Sequence, residues 1–178
     1  MFDWLREIFV ALHEHLIPFV VVYEYECAAV FRLGAHHRTL ATGFHWRWPL
    51  IETVLSEHNT FTTLALEPQT VTTRDNKAVV VSGIIRYRIV DIKPFLCELS
   101  NQHDALRDTA MGAVLKQVRS LDFRTLLDEP PESKIASDIR RQVKPYGIEI
   151  DLFTFVDAGD MRTIRLITHT YAPPSHYD

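Results

Sequence analysis

The stretch QTVTTRDNKAVVVSGIIRYRIV, residues 69–90, limits the possible folds more than any other part of the chain. Two β-rich runs flank Arg74-Asp75-Asn76-Lys77. Asp and Asn tolerate the left-handed backbone of a tight turn, so the stretch reads as a β-hairpin. In its second run Val81, Gly83, Ile85, Tyr87 and Ile89 share one face, and Ser82, Arg86 and Arg88 share the other. That alternation describes a strand with one buried and one wetted side.

The period-two pattern extends upstream. Residues 19–33, FVVVYEYECAAVFRL, read as one strand whose odd-numbered side (Val21, Tyr23, Tyr25, Cys27, Ala29, Phe31, Leu33) is apolar throughout. Gly34 turns the chain, residues 35–43 read as a polar loop, and a further strand is expected over 51–66. Between them lies TGFHWRWPLIETV, residues 42–54. Gly43 lets the backbone turn sharply, and Phe44, Trp46 and Pro49 can fill a seam between sheet and loop.

After Asp91-Ile92-Lys93-Pro94 the period changes to that of helices. Asp104 can cap a helix over about 105–119 with Leu106, Ala110, Ala113, Val114 and Val118 inward. A short helical turn follows, then a helix opened by Pro131 and Glu132 that carries Ile135, Ile139 and Val143 inward as far as about Lys144. Residues 148–158 alternate as a strand, a last helix is expected from Asp160 to Thr170, and 171–178 is a tail. The expectation is an α+β protein: a mainly antiparallel sheet, then a helical half with one more strand. Its parts are 1–18, a β-rich half over 19–95, an α/β half over 96–170, and the tail.

Residues 2–17 read as an amphipathic helix ended by Pro18. Leu5, Ile8, Phe9, Leu12 and Leu16 recur at helical spacing, with the rings of Phe2 and Trp4 at the start. Such a helix either packs on protein or lies in a membrane interface. Neither an export signal nor a membrane span is read: the run LIPFVVVY, residues 16–23, contains a Pro and is too short to cross.

The net charge of −4 offers no basic excess for phosphate contacts, so nucleic acid is not expected as a partner. Two cysteines, Cys27 and Cys97, make neither a disulfide framework nor a zinc pair and read as small buried hydrophobes. The nine histidines are scattered, and His13-Glu14-His15 lacks the spacing that puts two ligands on one helix face. No nucleophile elbow or phosphate-binding glycine loop is present. No catalytic, cofactor or metal residues are assigned, and no small-molecule substrate is expected.

Three segments in order carry a resemblance: EYECAAVFRLG (24–34), ATGFHWRWPLIETV (41–54) and QTVTTRDNKAVVVSGIIRYRIVD (69–91), with YGIEIDLFTFVD behind them. The chain resembles the SPFH, or band 7, superfamily of stomatin, prohibitin and flotillin over roughly residues 22–170. Thr42 stands where the family usually has Pro, and the Ala/Glu/Lys-rich coiled coil of familiar members does not follow. The resemblance implies a non-enzymatic scaffold that assembles laterally into a ring or arc, peripheral to a membrane on its cytoplasmic face. It also implies a membrane-protein partner, or a place in a soluble or virion assembly, or a role modulating a membrane protease. On that view Trp46 and Trp48 join Phe2, Trp4, Leu5, Ile8, Phe9 and Leu12 as candidate membrane contacts, although the first reading of the two tryptophans, with Arg47, is as core plugs. Arg86 and Arg88, set against Asp122, Asp128, Glu129 and Glu132, are the candidate charges of an interface between copies.

Overall fold

The computed structural model describes residues 18–160. Those residues form two compact units, one built from 18–60, 88–100 and 146–148, the other from 61–87, 101–145 and 149–160. The architecture is α+β, with antiparallel sheets first and then helices and a final strand, as expected.

In the first unit β2 (Glu26–Arg32) is the centre of a three-stranded antiparallel sheet, flanked by β3 (Ala35–Leu40) and β5 (Glu52–His58). The single strand expected over 19–33 is in fact two. The amide of Glu26 donates to the carbonyl of Tyr23 at 3.0 Å, closing a turn that separates β1 (Phe19–Val22) from β2. β1 then pairs with β4 (Gly43–Trp46) as a separate two-stranded ribbon. The odd-numbered side is not buried throughout, as the single strand would require. Even-numbered Val22, Ala28 and Val30 form the core with Leu40, and Val20 and Val54 pack on it; on the odd-numbered side Ala29 is buried, whereas Tyr23, Tyr25 and Leu33 are exposed.

The polar loop expected over 35–43 is mostly strand β3. It is a sheet edge, where one side meets water and charged residues are common, so its His36-His37-Arg38 run gives no apolar signal. The strand expected over 51–66 is divided between β5 and β6 (Thr62–Thr72).

A short helix, α1 (Ile92–Cys97), went unread in the sequence because Pro94 looks like a breaker. Pro is tolerated in a first turn, where its missing N–H has no helical partner. Asp91 caps this helix by accepting from the amide of Lys93 at 3.1 Å. Ahead of it, the amides of Val90 and Asp91 both donate to the carbonyl of Gly147, at 2.9 and 3.2 Å. Gly147 has φ +73°, and a Cβ there would lie 2.1 Å from the carbonyl oxygen of Asp91.

In the second unit β6, β7 (Ala78–Ile89) and β8 (Ile148–Asp160) form an antiparallel hairpin with a third strand beside it. Asn76 takes the left-handed conformation, φ 61°, that the turn needs. Val79, Val81, Ile85 and Tyr87 face inward and Arg86 outward, as the alternation demands. The register of β6 slips between Leu66 and Gln69, at Pro68, which has no N–H to give to a ladder. Gly83 leaves room for β8: a Cβ on it would meet the Phe153 ring at 2.8 Å.

Helix α2 (Gln102–Arg119) buries Leu106, Ala110, Ala113, Val114 and Val118, the stripe read from spacing. It begins earlier than expected. Asn101, with φ 57°, holds the cap position, and Asp104 sits in the first turn, paired with Arg107. After α3 (Phe123–Asp128), α4 (Glu132–Val143) buries Ile135, Ile139 and Val143 as expected.

Side chains of α4 bond the backbone of β8. Arg140 donates to the carbonyls of Ile150 (2.9 Å) and Asp151 (3.2 Å), and Glu132 accepts from the amide of Phe155 (2.9 Å). The buried positions of β8 step from Ile150 to Phe153, an odd interval, so the strand changes phase beside the Arg140 clamp. Asp160 closes β8 instead of opening a helix. The rest of that expected helix, the tail and the helix over 2–17 lie outside the described residues.

A Gly147→Ala change should destabilise the protein by about 3 kcal/mol or more, because it combines a left-handed backbone with a clash against main chain. Urea denaturation of the full chain followed by circular dichroism measures this. A midpoint equal to the parent's would show that the close Asp91–Gly147 approach does not contribute to stability.

Candidate interaction surface

Pairing of β1 with β4 sets Phe19 opposite Trp46 and Val21 opposite Phe44. Partners across an antiparallel pair share a face, so these four side chains lie together. All are exposed, Phe44 by 67% and Trp46 by 58%. The rings of Phe19 and Phe44 lie 5.4 Å apart. The opposite face of the ribbon carries Val20 and Val22, which belong to the core of the unit. A cleft of about 310 Å³ runs alongside, walled by Val20, Val22, Ala28 and Val54, with Glu26, Ser56 and Arg47 at its polar positions.

Beyond Trp46 the chain makes a second exposed apolar stretch. Trp48 is 60% exposed and Leu50 86%. Leu33, 81% exposed, lies beside it, because its amide donates to the carbonyl of Ile51 at 2.9 Å.

One buried carboxylate organises this end of the unit. The Glu52 side chain has no exposed surface. Its Oε1 accepts from Arg32 at 2.6 and 3.2 Å and its Oε2 accepts from the amide of Trp48 at 3.0 Å, with Arg38 at 3.8 Å. Arg38 also donates to the carbonyl of Trp46 at 2.5 Å. The hydrogen bond from Arg32, the amide of Trp48 and the two guanidinium charges hold the Glu52 carboxyl below its usual range, against the opposing effect of burial.

The six interface charges expected from the sequence lie in varied settings. Arg86 pairs with Asp151 and lies 5.8 Å from the Phe61 ring centre, and Arg88 is half-buried. Asp122 pairs with Arg74 at 2.5 Å, Asp128 lies 3.8 Å from Arg124, Glu132 holds the amide of Phe155, and Glu129 is exposed. Of the expected membrane contacts, Trp46 and Trp48 are exposed, while Phe2, Trp4, Leu5, Ile8, Phe9 and Leu12 lie outside the described residues.

Four of the described histidines have local partners: His36 packs edge-on to Phe31, His45 bonds the carbonyl of Ala41, His58 lies against Tyr25, and His103 bonds the Tyr87 hydroxyl at 2.9 Å. Cys27 is half-buried and Cys97 exposed, so the reading of both as buried hydrophobes fails for Cys97. Among the described residues no group of three His, Cys, Asp or Glu side chains could hold a metal ion, and no helix is long and apolar enough to cross a membrane.

The sequence does not single out Phe19 or Leu50; it places Val21 and Leu33 on an apolar strand face and Phe44 in a seam, whereas all five are exposed. Their placement follows from the β1–β4 pairing and from the meeting of two turns. The only local trace was the aromatic density of residues 44–48.

An α+β domain that displays rings and aliphatic side chains to solvent on a hydrogen-bonded framework is the build of an interaction module. The chain belongs to the SPFH domain / Band 7 family, whose profile matches residues 20–164. It is 24% identical over 150 residues to an uncharacterized protein of Methanocaldococcus jannaschii, covering 83% of this chain and 75% of that one. It is also 24% identical over 149 residues to an uncharacterized protein of Archaeoglobus fulgidus, 83% of this chain and 60% of the relative. Protein HflK of Vibrio cholerae is 31% identical over 100 residues, which are 54% of this chain and only 25% of HflK. Members of the family are generally non-catalytic scaffolds that commonly oligomerise and associate with membranes.

The Glu52 linkage gives a testable pH dependence. A carboxyl whose folded pKa is depressed adds stability that is fully present above its unfolded value, about 4.3, and is lost as pH falls through the folded pKa. Glu52→Gln should therefore lower the melting temperature at neutral pH, by the equivalent of about 1–3 kcal/mol. The gap to the parent should close as pH drops below about 4. Parallel thermal melts across that range read it directly, and a gap independent of pH would show that the ionised carboxylate is not the stabilising species.

Proposed function

We propose that this protein is a non-catalytic scaffold that lies peripherally on a membrane through its first unit and self-associates laterally into a ring or arc. The observation that carries the reading is the exposed face of the β1–β4 ribbon, where Phe19, Val21, Phe44 and Trp46 stand together in water. Exposed patches of this kind mark interaction sites, and Trp belongs among the residues that favour a water–lipid boundary. The candidate helix over residues 2–17, with Phe2, Trp4, Leu5, Ile8, Phe9 and Leu12, precedes β1 directly in sequence and would add to the same contact. The partners in this reading are a membrane surface or membrane protein and further copies of the chain, on the cytoplasmic face.

Assembly in a ring needs two different surfaces on each subunit. Arg86 and Arg88 on one side, with Asp122, Asp128, Glu129 and Glu132 on the helical side, remain the proposed charges. Their use within the chain changes the expected size of the effect. Arg86 would exchange Asp151 for a neighbour's carboxylate, and exposed pairs contribute at most about 1 kcal/mol each. Apolar contacts must then supply most of the affinity.

Two measurements test the reading. Flotation with liposomes should carry the parent protein to the lipid fraction, and Phe44→Ser with Trp46→Ser should reduce that fraction several-fold without loss of folding. A parent that stays with the soluble fraction would end the membrane reading. Sedimentation velocity should show species larger than the 20.6 kDa chain, shifted toward monomer by Arg86→Glu with Arg88→Glu, more strongly at low salt. A parent that sediments as a monomer at every concentration would remove the scaffold mechanism.

A further inference from the structure

We propose that the paired turns formed by residues 32–35 and 48–51 are an insertion site for anionic phospholipid, distinct from the ribbon face: Leu33, Trp48 and Leu50 enter the acyl layer, and Arg32 and Arg38 take phosphate oxygens. The proposal rests on the membrane reading above and assigns it a second, chemically specific contact.

The argument starts from a misplaced leucine. The β2–β3 connection is a two-residue turn, with Arg32 paired to Ala35 across it. Leu33 has φ 50° and Gly34 φ 85°, so both central residues are left-handed, the signature of a type I′ turn. The first of these positions suits Asn, Asp or Gly, and any residue with a bulky side chain is strained there. Leu33 accepts that strain and is still 81% exposed, so burial of its side chain does not offset it. Leu50, in the neighbouring turn, is 86% exposed. Two fully presented aliphatic side chains and one Trp on adjoining turns are what an acyl layer would cover.

The tip is also held in shape. Besides the Leu33–Ile51 bond, the amides of Ile51 and Glu52 both donate to the carbonyl of Trp48, at 3.2 and 2.8 Å. The Glu52 carboxylate bolts the Trp48 amide to Arg32. A tip already ordered in water has little conformational entropy left to lose on insertion.

Charge selects the lipid. Arg32 and Arg38 leave 41% and 44% of their side chains exposed, while the single carboxylate between them is wholly buried. The surface at the tip therefore carries a positive excess, although the chain as a whole is acidic. A guanidinium has five donors in a planar fork, so each can hold the internal contact and still offer N–H groups to a phosphate.

The strain makes a clean test possible. Asn is better suited than Leu to the left-handed position, so Leu33→Asn should leave the melting temperature of the full chain equal or higher. Combined with Leu50→Asn, it should weaken binding to vesicles of equal parts phosphatidylcholine and phosphatidylglycerol on the order of 100-fold, since two aliphatic side chains lose their apolar cover. Arg38→Gln should weaken the same binding about 5-fold and narrow the parent's preference over pure phosphatidylcholine vesicles. If the folded double-leucine variant binds as the parent does while Phe44→Ser with Trp46→Ser does not, the tip proposal is overturned and the membrane reading stands. Equal affinity of the parent for both vesicle types overturns the assignment to anionic lipid. A parent that binds neither overturns the tip and the membrane reading together.

Discussion

A carboxylate removed from water has to be surrounded by donors and opposite charge, and Glu52 draws its partners from three segments at once. Arg32 comes from the end of β2, Arg38 from β3, and the Trp48 amide from the turn ahead of β5. None of these is near the others in an extended chain. The buried charge therefore ties together the sheet, its edge strand and the aromatic turn, and removing any partner leaves the rest less satisfied. Arg38 carries the tie one step further through the Trp46 carbonyl. The exposed rings and leucines of this unit consequently project from a hydrogen-bonded frame, which separates them from the side chains of an ordinary loose loop.

The second unit solves a different problem. A long strand at a sheet border invites pairing with other chains. On β8 the Arg140 guanidinium takes two successive carbonyls and Glu132 takes an amide, so sheet extension at those points would have to displace α4 side chains. The β6–β7 turn is anchored as well. Asp75 accepts from the Thr73 hydroxyl and from the Phe123 amide, supplying from another segment the cap that α3 lacks on its own Asp122. Many of the unit's charges thus have structural partners inside the chain, which leaves shape and apolar contact as the main means of joining copies in the proposed assembly.

The two archaeal relatives align with 83% of this chain and HflK with 54%. The alignment spans only a quarter of HflK. The first unit's apolar surfaces are features of this chain's own residues, and the proposed functions rest on them.

The sequence by itself determined the elements whose signal is local. The residues 69–90 hairpin, its turn at Asp75-Asn76, and the inward stripes of α2 and α4 were legible because period and turn chemistry are properties of near neighbours. The three ordered segments made the family legible too, and the profile match confirms it. Tertiary structure decided the rest. Whether 19–33 was one strand or two depended on β4 offering β1 a partner, and that choice put Val22 rather than Val21 in the core. Residues 35–40 became strand because β2 had an open side, although their polar composition reads as loop. Glu52 is an ordinary carboxylate in the sequence and a buried one in the fold, since its partners converge only after the sheet closes. Leu33 reads as the last residue of an apolar strand face, and only the turn's left-handed backbone turns it outward. Long-range pairing fixes both backbone conformation and exposure, and neither can be read from spacing along the chain.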